Sequence, residues 1–288
     1  MILKLRYARD SVFRIMIALM TILVVLPLFI IILYVLINGG SAIRPDFFLR
    51  DLGSPIRAMT GQPSGLIHSI LGTIIIDLCA LFIAVPFGLS AGILMSEYPD
   101  NPLAPPAKLL TSTLNGMPAV LMGLLAYALI VKNSGGFSAI AGSMALAFVM
   151  IPIIARAAES SLRITPWSLR ENGLALGLPR WIVITQIVIP AARPGLITGI
   201  LIAFARGAGE AAPLLLTSFG NNYLSFNMSK PMDTLPQRLY SLAISPYKQW
   251  HVMGWGGAIL LLFFVIIVFY VGRKMTAGME ARAEQKIH

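Results

Sequence analysis

The stretch TPWSLRENGLALGLPRWIVITQIVIP, Thr165 to Pro190, separates two long apolar runs and is itself written as a short, bounded helix. Thr165-Pro166 offers an N-cap with proline at the first helical position, and Ser168 with Glu171 offers a capping box one turn later. Either start predicts a helix. Gly177 supplies the left-handed residue that ends it, and Pro179 bars continuation, so the helix covers about 165–178. A rigid knob of this kind, projecting between apolar runs, suits docking into a groove on a partner.

The flanking sequence sets the class. The chain of 288 residues is 57% hydrophobic and only 12% charged, with a mean hydropathy of +0.81, whereas a soluble domain is about 25% charged. Runs of roughly 17–25 apolar residues cross about 30 Å of hydrocarbon as helix. Six candidates lie at about 15–37, 66–96, 107–131, 137–157, 182–216 and 252–272. Backbone groups in lipid must be satisfied within the segment, which favours helices, and the alternation of a membrane β-barrel is absent. The predicted fold class is all-α: a polytopic membrane protein of about six transmembrane helices.

The net charge of +10 fits topology better than a polyanion surface, because no Lys/Arg run interleaves with aromatics. With the N-terminus inside, the inner segments carry Lys4, Arg6, Arg9, Arg14, Lys108, Arg156, Arg163, Arg170, Arg180, Arg273, Lys274, Arg282 and Lys286. The outer ones carry Arg44, Arg50, Arg57, Lys132, Lys230, Arg238 and Lys248. That asymmetry follows the positive-inside rule and puts both termini and the 156–181 loop in the cytoplasm, with 38–65 and 217–251 outside. The first apolar run is longer than a signal-peptide core and ends in Asn38-Gly39-Gly40-Ser41 without an Ala-x-Ala site, so it is expected to be retained as a span.

The remaining features are sparse. Cys79 is the single cysteine, which leaves no disulfide framework and no paired metal ligands. His68 and His251 stand alone at helix starts, where a surface role is expected and a metal is not. In 217–251, broken by Pro231, Pro236 and Pro246, the spacing of Leu239, Leu242 and Ala243 fits a short amphipathic helix or an ordered loop equally. No Gly-x-x-x-x-Gly-Lys-Ser/Thr loop, Gly-x-Ser-x-Gly elbow or His-Glu-x-x-His helix occurs, so ATP hydrolysis would belong to another chain and no catalytic residues are assigned.

Arg206 and Glu210 fall inside the fifth run, four residues apart and so on one helical face. Charges at such depth are costly and usually face a cavity or a partner on a substrate path. The planar fork of arginine matches two oxygens of an oxyanion. Ionised glutamate can accept a hydrogen bond from the P–OH of hydrogen phosphate, which sulfate lacks. The plainer alternative is an ion pair that neutralises both groups. Gly207 and Gly209 thin the helix and Pro213 withholds a donor, which loosens the backbone beside the charges. Interrupted helices at mid-membrane are a recurring way to coordinate ions. Asp77, in the second run, either pairs with an arginine or sits near an interface.

Several of these segments carry a resemblance. Glu171, Gly177 and Pro190, with Ile187 and the intervening spacing, resemble the EAA loop of bacterial ABC-importer permeases. Asn115-Gly-Met-Pro118 with Gly123, Gly135-Gly-Phe-Ser138-Ala with Ala141-Gly142, and Ala205-Arg206-Gly-Ala-Gly-Glu210-Ala-Ala-Pro213-Leu-Leu-Leu-Thr217 extend it over about residues 66–275. The last run points within the type I ABC importers (MetI-like permease fold) to the phosphate-transport permeases. Asn172-Gly173 replace the Ala-Ala pair that names the motif, which puts close packing there in question.

The resemblance implies an N-terminal transmembrane helix and long outer loop at 1–65, a permease core at 66–275 and a cytoplasmic tail at 276–288. It assigns Ser168, Glu171, Gly177 and Pro190 to ATPase coupling, Arg206 and Glu210 to substrate translocation, and Gly207, Gly209 and Pro213 to flexibility of the fifth helix. The implied setting is the bacterial inner membrane. Implied partners are a homologous second permease subunit, an ATPase dimer that holds ATP and Mg, and a soluble phosphate-binding protein; no cofactor is expected on this chain. The competing expectations are a permease for molybdate or sulfate and, from another class, an ion-coupled carrier using Arg206, Glu210 and Asp77 as a proton relay.

Overall fold

A computed structural model describes residues 2–285. Apart from one isolated bridge between Phe219 and Met232, regular structure among the described residues is helical. Five segments are long and apolar enough to cross a membrane: Arg9–Ala42, Ile67–Glu97, Ala139–Ile164, Arg180–Gly207 and Lys248–Gly278. The helices used below are α1 (Ile2–Gly39), α2 (Ile67–Glu97), α3 (Ala104–Gly116), α4 (Ala119–Ala126), α5 (Ala139–Ile164), α6 (Trp167–Ala175), α7 (Ile189–Gly207), α8 (Ala212–Leu215), α9 (Leu235–Ala243) and α10 (Lys248–Gln285). Residues 286–288, the end of the expected tail, lie outside the described residues, and α10 runs through 276 without a break.

Two of the six expected spans are not straight rods. The third is a folded pair, α3 and α4 with its continuation to Ser134 meeting at 111°. The corner is Gly116-Met117-Pro118: proline has no N–H to continue α3 and forces the preceding Met117 into an extended conformation (φ −80°, ψ 139°). The fifth stops at Gly207 rather than reaching 216, and α8 resumes the helix at Ala212. Its beginning is a π-turn, Val183–Val188. A proline ring at 190 crowds the carbonyl four residues before it, and the wider turn directly upstream relieves that crowding.

Lipid supplies little drive for helices to associate, so small residues that permit close approach hold the bundle. A Cβ on Gly88 of α2 would stand 2.7 Å from Ile154 Cβ of α5, and Gly92 abuts Ala158 one turn on. The central core joins Ile76, Ala80 and Ala84 of α2 to Leu146, Ala147, Met150 and Ile154 of α5, with Ala203 of α7 and Leu214 of α8. At the α6 end Ala158, Leu162, Val183, Val188, Ala192 and Leu196 form a second core. At the opposite end Phe47, Leu52 and Leu66 pack with Leu235, Leu242 and Met253, which seats both long excursions on the bundle. The segment around 239–243 is therefore a helix, α9, rather than a loop. The α1 span is exposed along its length; it meets α10 at Gly39, and Tyr34 and Trp255 pack edge to face at 5.2 Å.

Candidate functional site

α6 starts at Trp167, one residue after the first sequence signal predicts and before the second. Pro166 takes the N-cap place with no side-chain cap, while Thr165 Oγ1 donates back to the Ser161 carbonyl at 3.2 Å. Its end is a Schellman turn: Gly177 has φ +76°, its N–H donates to Leu174 O at 2.9 Å, and the Leu178 N–H donates to Gly173 O at 3.3 Å. Ser168, Glu171 and Gly177 are exposed, flanked by exposed Trp167, Leu174 and Leu176. This gives α6 an exposed outer face of mixed polar and apolar side chains, with the Arg170 guanidinium 5.2 Å over the Trp167 ring. Pro190 is exposed near the start of α7.

The inner face of α6 is Gly173 and Arg170. A Cβ on Gly173 would lie 2.9 Å from Val183 Cγ2 and 3.0 Å from Ile187 Cδ1, so glycine here seats α6 tightly on the π-turn without the alanine pair. Arg170 is buried and donates to Glu97 of α2 from Nε at 2.9 Å and from Nη2 at 2.5 Å. The sequence reading counted Arg170 only as one more inner charge. Its spacing of three from Gly173, which places both on one helical face, was the available signal. Glu97, 73 residues earlier, gave none.

The second region is the break after α7. The chain leaves the helix at Gly207 in a tight turn, with Gly209 N–H donating to Arg206 O at 3.1 Å and Glu210 N–H to Gly207 O at 3.0 Å. Arg206 and Glu210 thus face each other across a turn and not along a continuous helix. Their side chains meet at 3.3 Å, Nη2 to Oε1, with Arg206 57% and Glu210 20% exposed. Pro213 is buried within the short α8 that follows, so it restarts the helix where the sequence reading had it weaken an unbroken one.

The two breaks touch. Arg206 opens on a cavity of about 100 Å³ lined also by Asn115, Met117, Ala119, Met122, Val149 and Ile153, the corner between α3 and α4. A Cβ on Gly123 of α4 would stand 2.6 Å from Pro213 Cα. Gly207 is closed against Met150 of α5, and a Cβ there would lie 3.6 Å from Asp77 Oδ1. Asp77 is 1% exposed and its Oδ2 has no hydrogen-bond partner among the described residues. Among the described residues it makes no ion pair with an arginine, one of the two expectations for it; it is packed behind the break that carries Arg206. Gly209 is exposed at the crest of the turn.

His68 also departs from expectation. It is buried, not at the surface, with Nε2 3.3 Å from Asp233 Oδ2. The same carboxylate accepts from Ser69 Oγ and from Arg238 Nε at 2.6 Å. His251 is exposed and contacts the Ser245 carbonyl at 2.7 Å, and Cys79 is a half-buried free thiol.

A bundle of spans with two interrupted helices and a short exposed helix between spans is the architecture of a transport permease. The chain belongs to the family described as binding-protein-dependent transport system inner membrane component, which matches residues 84–280. It is 39% identical to the phosphate transport system permease protein PstA of Xylella fastidiosa, over 80% of this chain and 79% of that protein. The corresponding protein of Haemophilus influenzae is 36% identical over 90% and 92%. A probable phosphate transport system permease protein PstA of Methanocaldococcus jannaschii is 32% identical over 92% of each chain. In fold the chain is similar to a chain of the MetNI methionine ABC transporter in an inward-facing conformation, with TM-score 0.63 and 18% identity over 74% of this chain and 95% of that one.

Proposed function

We propose that this multi-pass membrane permease conducts inorganic phosphate as one membrane subunit of an ATP-driven importer. The observation that carries the reading is the meeting of two helix breaks around an open guanidinium, Arg206, whose one carboxylate partner among the described residues is a single 3.3 Å contact. Arginine so placed retains donors for an arriving oxyanion, and Glu210 beside it can accept from a protonated phosphate oxygen. The names of the relatives supply the substrate. The exposed face of α6, with Ser168 and Glu171 between Trp167 and Leu174, is where an ATPase subunit docks, and ATP and Mg reside on that partner. A second permease subunit completes the pathway and a soluble phosphate-binding protein delivers from outside. α6 and both termini are cytoplasmic, and 38–65 and 217–251 are external.

Two measurements test this. ATP-dependent uptake of radiolabelled phosphate should require this chain and resist competition by sulfate and molybdate. Equal competition would assign another oxyanion, and uptake independent of any ATPase would indicate an ion-coupled carrier. For orientation, cysteine at Ser229 should react with an impermeant thiol reagent in intact cells while cysteine at Ser168 stays protected; the reverse pattern inverts the topology.

A further inference from the structure

We infer that the ion pair between Arg170 of α6 and Glu97 of α2 is the joint through which the docking helix moves the transport pathway, with α2 as the rod; this deepens the permease reading and rests on it. Glu97 is the last residue of α2. Arg170 grips it with two donors, and two more go to the carbonyls of Thr165 at 3.0 Å and Leu162 at 2.8 Å, where α5 ends. One guanidinium thus ties α6 to the ends of two spans. Both side chains of the pair are less than a tenth exposed.

The grip is reinforced from either side of α6. Arg163, late in α5, donates to the Met95 carbonyl at 3.4 Å, and Arg180, at the start of the next span, donates to the carbonyl of Glu97 and lies 4.7 Å over the Tyr98 ring. Three arginines, before, within and after α6, close on residues 95–98. Burying a charge pair yields little stability compared with an apolar contact. What the forked geometry does provide is fixed orientation, which is what a mechanical joint needs.

The rod leads to the working parts. α2 spans 31 residues, about 46 Å at 1.5 Å per residue. Partway along, Asp77 lies against Gly207, at the break that carries Arg206. At the far end Ser69 donates to Asp233, Thr73 Oγ1 accepts the Leu235 N–H at 2.8 Å, and Gly72 abuts the Asp233 backbone. Displacement of α6 is therefore delivered through α2 to the break and to the segment leading into α9.

The test uses the complete transporter in proteoliposomes and counts phosphate imported per ATP hydrolysed. Glu97→Gln keeps an acceptor without charge; Arg170→Lys keeps the charge but loses the planar fork that meets both Glu97 oxygens, and it remains informative if the first variant fails to assemble. Both should hydrolyse ATP while the ratio falls by about tenfold, a typical size for coupling between sites. A Glu97→Cys, Arg170→Cys pair in a Cys79→Ser background should regain the ratio when bridged by a short bismaleimide. An unchanged ratio, including a proportional fall of uptake and hydrolysis together, overturns the proposal. A wild-type transporter that hydrolyses ATP but imports no phosphate refutes the substrate assignment instead, and the same ratio is then read with sulfate or molybdate.

Discussion

Two of the chain's Arg–Glu pairs, Arg170–Glu97 and Arg206–Glu210, differ sharply in burial and geometry. Arg170–Glu97 is buried and forked, with four of the five donors used: the guanidinium meets a carboxylate twice and two carbonyls besides. Arg206–Glu210 is open, single and unsaturated, at 3.3 Å beside a cavity. With four of its five N–H donors committed and little exposure, the Arg170 guanidinium is turned toward fixing chain segments and not toward a ligand. An open one gains from an arriving anion. Burial and donor accounting thus separate a closed pair from an open one.

The sharpest way to break this contrast is to remove each carboxylate. Glu97→Ala leaves Arg170 buried and uncompensated, at a cost of about 3–5 kcal/mol. That is a large share of the stability of most proteins, so the amount of chain recovered from membranes should fall by an order of magnitude. Glu210→Ala should leave that amount unchanged, since an open pair contributes about 0–1 kcal/mol, and lose phosphate uptake. Immunoblots of membranes alongside uptake decide it. Equal loss of protein from both variants would erase the distinction.

The exchange Arg206→Glu with Glu210→Arg asks a finer question. A pair that serves only itself tolerates exchange, because attraction and spacing persist. A pair that serves phosphate does not, because the exchange moves the fork across the turn and presents a carboxylate where the anion arrives. Uptake should stay at least about tenfold below wild type at matched membrane expression, the equivalent of one charge-assisted hydrogen bond at about 1.5–3 kcal/mol. Full recovery would return the pair to a structural role and leave phosphate resting on the relatives' names.

The sequence made the local features legible and left the long-range ones hidden. Gly177 and Pro179 mark the end of α6 because a left-handed residue and a proline act on their own neighbours. The corner at Gly116–Pro118 and the stop at Gly207 were written in the same residue types, yet hydropathy averaged them into continuous runs, and only packing of Gly123 on Pro213 shows that the breaks belong together. His68 resembled a surface residue because its partner Asp233 lies 165 positions on and no periodicity links them. Arg170 was hidden for the same reason.

Gly177→Val probes the docking helix itself. A β-branched residue at φ +76° costs about 1–2 kcal/mol, and the cheapest escape is to unwind the last turn of α6. Co-purification with the ATPase should fall several-fold while the spans insert normally. Unimpaired recovery of the complex together with normal uptake would remove α6 from the coupling contact.

Gly173→Ala should have the smallest effect, and its size tests how closely α6 is seated. A methyl there meets the side-chain ends of Val183 and Ile187 at 2.9–3.2 Å, closer than comfortable contact, but those ends can shift where backbone could not. Against that crowding, alanine in a helix interior is favoured over glycine by about 0.8–1.0 kcal/mol. The two effects nearly cancel, so membrane amount and uptake should stay within about twofold of wild type, less than the tenfold that about 1.4 kcal/mol would give. A larger loss of uptake at normal protein amount would mean that sub-ångström displacement of α6 is enough to disturb the Arg170–Glu97 joint on the same helical face. The open Arg206 pair would then be the more tolerant of the two to small shifts, because a single contact beside a cavity can adjust where a buried fork held at four points cannot.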